Sequence, residues 1–157
     1  ALLESGGGCR MLPKWHAFWG LIFTIIFKIL APKTNYVSLF LIFFAAVFID
    51  FDHYLTTAIK NKDWSLRRAF KINYDGRAVD LDLNKNKGIC RKGDFHIFHT
   101  VESHLLIGIL GFLWAPLFFI LIGMILHSTL DIIWMTYHDV LGAREFFLFN
   151  KIRAVFF

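Results

Sequence analysis

Apolar residues along this chain fall into long blocks instead of the one-sided stripes of a soluble amphipathic helix. The first block runs from Trp15 to Leu30 and stops before Pro32. The second runs from Tyr36 to about Leu55. A polar stretch, 56–94, separates it from FHIFHTVESHLLIGILGFLW at 95–114, which begins polar and becomes apolar. Pro116 precedes the last block, LFFILIGMILHSTLDIIWMTY, at 117–137. A helix needs about 20 apolar residues to cross a bilayer. The pattern therefore predicts an all-α integral membrane protein with about four transmembrane helices, near 15–30, 36–55, 95–114 and 117–138. Within the polar stretch AVDLDL alternates and NKNKG can turn, which predicts a small hairpin. In the tail, 142–157, Phe146, Phe149, Ile152 and Phe156 share one helical face. Arg144, Lys151 and Arg153 lie largely elsewhere, the pattern of a helix lying in the membrane interface.

Composition agrees with that pattern. Hydrophobic residues make up 57% of the 157 residues, above the roughly 45–50% of a soluble domain. Residues 11–157 read as a single membrane domain. The first ten residues, ALLESGGGCR, are small and Gly-rich and read as a non-native or unstructured leader. Cys9 and Cys90 are far apart, without the spacing of a disulfide framework or a thiolate zinc site.

Charge then orients the predicted helices. The stretch 56–94 carries Lys60, Lys62, Arg67, Arg68, Lys71, Arg77, Lys85, Lys87, Arg91 and Lys92, whereas the connections on the opposite side carry Lys33. The positive-inside rule puts the basic stretch and both termini in the cytoplasm, at the plasma (inner) membrane of a prokaryote. The net charge of +5 follows from this topology and from contact with anionic headgroups; nucleic acid is not needed to explain it. The thin bundle is compatible with a homodimer.

The ionisable residues converge on that same face. His16 opens the first predicted helix, and Asp50, Asp52 and His53 close the second. His96, His99, Glu102 and His104 open the third, and His127 and Asp131 lie in the half of the fourth that returns to the same side. His127 and Asp131, four residues apart, share a helical face, as do His96 and His99. Asp50 and Asp52 point about 160° apart on a regular helix, so either the helix ends there or one of them supports the other ligands. An Asp at the centre of a membrane helix costs about 2.5–3.5 kcal/mol, and a divalent ion offsets that cost. His, Asp and Glu without thiolate suit zinc first, with manganese or iron(II) as alternatives. The number of ligands suggests more than one ion, an arrangement that clamps both oxygens of a phosphoester.

The ordered boxes resemble the small membrane-bound metal-dependent hydrolases of the YdjM-like family. HAFWG supplies His16, IDFDHYL supplies Asp50, Asp52 and His53, HTVESH supplies His99 and His104, and HSTLD supplies His127 and Asp131. Ile49 replaces the family's Pro, and His96 and Glu102 are additional, as in a divergent member. The resemblance implies hydrolysis, with a phosphoester or lipid-linked substrate at the cytoplasmic face. The expected metal ligands are His16, Asp50, His53, His96, His99, His104, His127 and Asp131. Asp52 or Glu102 would orient the attacking water or act as general base. Arg67, Arg68, Arg91 and Lys92 would attract substrate phosphates. The alternative is a non-catalytic metal-binding membrane protein serving transport, sensing or structure.

Overall fold

A computed structural model describes residues 11–87 and 96–150. Six α-helices account for most of them: α1 Pro13–Leu30, α2 Tyr36–Phe48, α3 Phe51–Asn61, α4 Leu66–Lys87, α5 Val101–Gly111 and α6 Pro116–Tyr137. Short 3₁₀ turns cover Ile97–His99 and Leu141–Ala143. No strand occurs among the described residues.

The helix starts follow local chemistry. Pro13 and Pro116 occupy the first turns of α1 and α6, where proline's missing N–H costs nothing. Asn35 caps α2 by accepting the Ser38 N–H at 2.8 Å. Thr100 caps α5 in extended backbone, its hydroxyl accepting the Ser103 N–H at 3.3 Å.

Among the described residues two helices are long and apolar enough to cross a membrane. One is Tyr36–Asn61, α2 and α3 taken together through their junction, and the other is α6. The third predicted span shortens to α5, whose 11 residues reach only about 16 Å at 1.5 Å per residue. The polar stretch differs more. Residues 66–87 form a 22-residue helix where the alternation in AVDLDL predicts a hairpin. Ala69 and Asp80 are its buried positions and Ile72, Asn73, Gly76, Arg77, Leu81, Leu83 and Asn84 are half-buried. That stripe has helical spacing, and the segment holds no proline and many strong helix formers.

The central pair is α2 against α6; α1 packs beside α2, α5 beside α6 and α3 beside α4. Small residues bring α2 and α6 close. A Cβ on Gly123 would lie 2.8 Å from the Ala45 Cβ and 3.0 Å from the Ala46 nitrogen. Ile42, Ala45, Ala46, Ile49 and Met124 fill this crossing. Outward faces are apolar: Leu30, Val37, Phe112 and Leu113 are 70–84% exposed. Most of the large buried polar groups gather at one end of this pair.

Candidate metal centre

Four segments bring ionisable side chains together there, and local backbone explains each arrival. His16 lies in the first turn of α1 and is fully buried. Asp50, Asp52 and His53 flank the junction of α2 and α3. The Asp52 N–H points to the Ile49 carbonyl at 3.5 Å and the His53 N–H bonds the Asp50 carbonyl at 3.1 Å. These three-residue bonds tighten the turn, which resolves the 160° conflict: both carboxylates reach the cluster. His96 and His99 come from the 3₁₀ turn before α5, and His127 and Asp131 from α6.

Positions Gly123, His127 and Asp131 recur every four residues on α6, so the close crossing at Gly123 sets His127 against α2. The His127 Nδ1 donates to the Ala46 carbonyl at 2.8 Å. That bond fixes the tautomer and leaves Nε2 as a lone pair aimed into the cluster. Asp52 treats His99 in the same way: its Oδ2 lies 3.1 Å from His99 Nδ1 and accepts the Phe98 N–H at 3.3 Å. The two Nε2 atoms of His99 and His127 face each other at 3.1 Å. His16 stacks on His127 with centroids 3.8 Å apart.

Four sets of three side chains have ligand atoms within 4.8 Å of one another: His16, Asp50 and His127; Asp50, His53 and His99; Asp52, His53 and His96; and His99, His127 and Asp131. The sets share members and form one continuous cluster. These buried groups could hold a metal ion. Unsatisfied atoms fit that chemistry: His16 Nδ1, His53 Nδ1 and Asp52 Oδ1 are buried and make no hydrogen bond among the described residues, while His16 Nε2 faces Asp131 Oδ1 at 3.2 Å. Charge fits it too. Among the described residues the three carboxyl groups of Asp50, Asp52 and Asp131 meet one buried guanidinium, that of Arg144. Buried charge is costly unless compensated. Without a metal, protons must serve. Burial alone opposes a charge on His99, but Asp50 and Asp52 outweigh it and raise its pKa to about 9.

Arg144 is the member that sequence reasoning missed. Its side chain is 8% exposed and its Nη1 lies 3.3 Å from Asp131 Oδ2. Its Nη2 donates to the His99 carbonyl and to Ser128 Oγ, each at 3.3 Å. The sequence pattern assigned Arg144 to the polar face of a tail helix. Asp139 explains the difference. Its φ of 55° is left-handed, and the Val140 N–H closes back on the Met135 carbonyl at 2.9 Å, a Schellman-type end to α6. The chain reverses and carries Arg144 back to the cluster.

Other predicted residues stand apart. His104 lies beyond the Thr100 cap, with Nδ1 bonded to the Thr100 carbonyl at 2.8 Å and Nε2 to Ser128 Oγ at 3.2 Å. Glu102 accepts the backbone N–H groups of Leu148 and Phe149 at 3.0 and 3.4 Å, and so anchors the tail. His138 stacks on Trp134 at the end of α6. Arg67 and Arg68 are exposed at the start of α4, and Arg68 pairs with Asp63 at 2.9 Å. Arg91 and Lys92 lie outside the described residues, as do both cysteines and residues 1–10.

Comparison with family models, curated proteins and solved structures finds no match.

Proposed function

We propose that this chain is a membrane-embedded metal-dependent hydrolase acting on a phosphoester, carried by a lipid, at the cytoplasmic face. The observation that carries the proposal is the buried cluster of three carboxylates and five imidazoles with an arginine beside it. Nothing in folding alone rewards such a concentration of ionisable groups. Zinc is the favoured ion, because the donors are mixed nitrogen and oxygen. A resident divalent ion supplies Lewis-acid polarisation of a phosphoryl oxygen.

The chain's own residues have separable tasks. His16, Asp50, His53, His96, His99, His127 and Asp131 hold the cation. Asp52 and the Ala46 carbonyl keep His99 and His127 in the tautomer that presents Nε2. Asp52 is also the nearest candidate for accepting a proton from an attacking water, through Oδ1. Arg144 offers a phosphoryl oxygen its Nε–H, which is buried without a hydrogen bond among the described residues. The outward apolar faces and the two long apolar helices support residence in a bilayer. The basic residues of α3 and α4 support a cytoplasmic orientation. The order of the boxes supports a distant kinship with the YdjM-like hydrolases.

The test is direct. Protein purified in detergent is assayed for bound metal by mass spectrometry and for hydrolysis of lipid phosphates and p-nitrophenyl phosphate. Bound zinc, with turnover abolished by chelation and restored by zinc, is the expected result. A metal-free chain of undiminished stability overturns the proposal. Bound metal without turnover moves the conclusion to a non-catalytic metal-binding membrane protein.

A further inference from the structure

A cavity of about 510 Å³ lies against the cluster. Its volume falls in the range of ligand pockets, roughly 300–1,000 Å³. Its walls come from α3 and α4, with the end of α2 and the start of α1. Val47, Phe48, Phe51, Phe70 and Tyr74 give it an aromatic and aliphatic lining. Asp50 and His53 belong to the same lining, and both side chains are 8% exposed and face the metal-ligand sets. Lys71 and Arg77 stand on the α4 wall.

We infer that this cavity seats the apolar chain of an anionic amphiphile, with its phosphate-type head at the Asp50–His53 end. The inference rests on the proposal that the cluster holds a divalent cation and acts on phosphoesters. The lining decides the substrate class. A small water-soluble phosphoester would leave the aromatic walls uncovered, whereas an alkyl or isoprenoid chain covers them. The charges decide the direction. A cation at Asp50 and His53 complements an anionic head. Lys71 and Arg77, the latter over the Trp134 ring at 4.6 Å, add positive charge to the lining, and the Phe70 and Tyr74 rings, 57% and 59% exposed, line a route for the chain to enter sideways. A neutral lipid uses the walls but not the bases.

The experiment is photolabelling of the zinc-loaded full chain in lipid nanodiscs. One probe is a dodecylphosphonate with a diazirine near the chain end; the other is a diazirine alkane of equal length without a head. Peptides carrying Phe51, Phe70 and Tyr74 are expected to be labelled about tenfold more by the phosphonate than by the alkane, roughly the gain from one charge-assisted contact. Chelation should remove most of that excess. Equal labelling by both probes, spread over the outward faces of α1 and α5, overturns the inference. The phosphonate cannot be hydrolysed, so the two proposals fail separately. Cavity labelling without phosphoester turnover retains the amphiphile site and rejects the hydrolase. Turnover with an unlabelled cavity does the reverse.

Discussion

The junction of α2 with α3 and the first turn of α5 carry similar residues and use them in opposite ways. Each offers an acid and a histidine within a few residues: Asp50 and His53 at one, Glu102 and His104 at the other. At the junction the backbone is tight and irregular, and Asp50 and His53 turn into the cluster, with Asp50 Oδ1 3.5 Å from His53 Nε2. In α5 the helix is regular after its Thr100 cap. There His104 reaches the carbonyl four residues back and Glu102 takes two backbone N–H groups of the tail. Residue type is the same; what differs is whether nearby backbone can satisfy the polar atoms. A histidine becomes a ligand candidate where local hydrogen bonds hold one nitrogen and leave the other facing its neighbours, as in His127.

The contrast is broken most forcefully at Asp131. Asp131→Ala strands the Arg144 guanidinium in a buried site, and losing one partner of a buried pair costs about 3–5 kcal/mol. The expected result is a large drop in thermal stability in detergent together with loss of bound metal. Asp131→Ala combined with Arg144→Met should recover much of the stability and none of the metal. Failure of the double variant to recover stability would show that Arg144 is not the group left uncompensated.

Gly123 gives the next largest effect. The clash of a Cβ with Ala45 and Ala46 forces α2 and α6 apart, and overpacking a tight contact costs about 1–3 kcal/mol. Because the Ala46 carbonyl orients His127, Gly123→Ala should weaken metal retention as well as lower the melting temperature. A destabilised variant that keeps its metal under mild chelation would detach the crossing from the site.

His104→Ala and His99→Ala sharpen the comparison itself. His104→Ala removes two ordinary hydrogen bonds, about 0.5–1.5 kcal/mol each, and should leave metal content unchanged. His99→Ala should lower metal content, since His99 belongs to two of the ligand sets. Equal metal loss in both variants would return His104 to the ligands predicted from sequence.

How far these assignments could be read from sequence depends on the scale of the signal. Block hydropathy, with Pro32 and Pro116 as punctuation, located α1, α2 and α6, and the convergence of His16, Asp50, His53, His99, His127 and Asp131 followed from the order of the blocks. The helix α4 was not legible, because its buried positions are Ala69 and Asp80 and its half-buried face mixes Ile72, Leu81 and Leu83 with Asn73, Gly76, Arg77 and Asn84, so apolar residues alone trace no clear stripe. Arg144 was hidden for a different reason. Its position depends on one left-handed residue, Asp139, and a backbone reversal leaves almost no trace in residue type.

The smallest effect concerns Arg67 and Arg68, predicted from sequence to gather substrate phosphates. Both are exposed, and Arg68 is already paired with Asp63. The Ser65 N–H and then the Arg68 guanidinium hold the Asp63 carboxyl below its ordinary pKa. An exposed pair of this kind contributes little to stability, so Arg67→Ala with Arg68→Ala should leave the melting temperature and metal content unchanged. What remains for these charges is long-range attraction of an anionic substrate, which salt screens over about 10 Å at 0.1 M. The double variant should therefore raise KM modestly at low ionic strength, with kcat constant, and the difference should vanish as salt is added. A KM defect that persists at high salt would mean direct contact with the substrate, and would extend the site from the cluster to the start of α4.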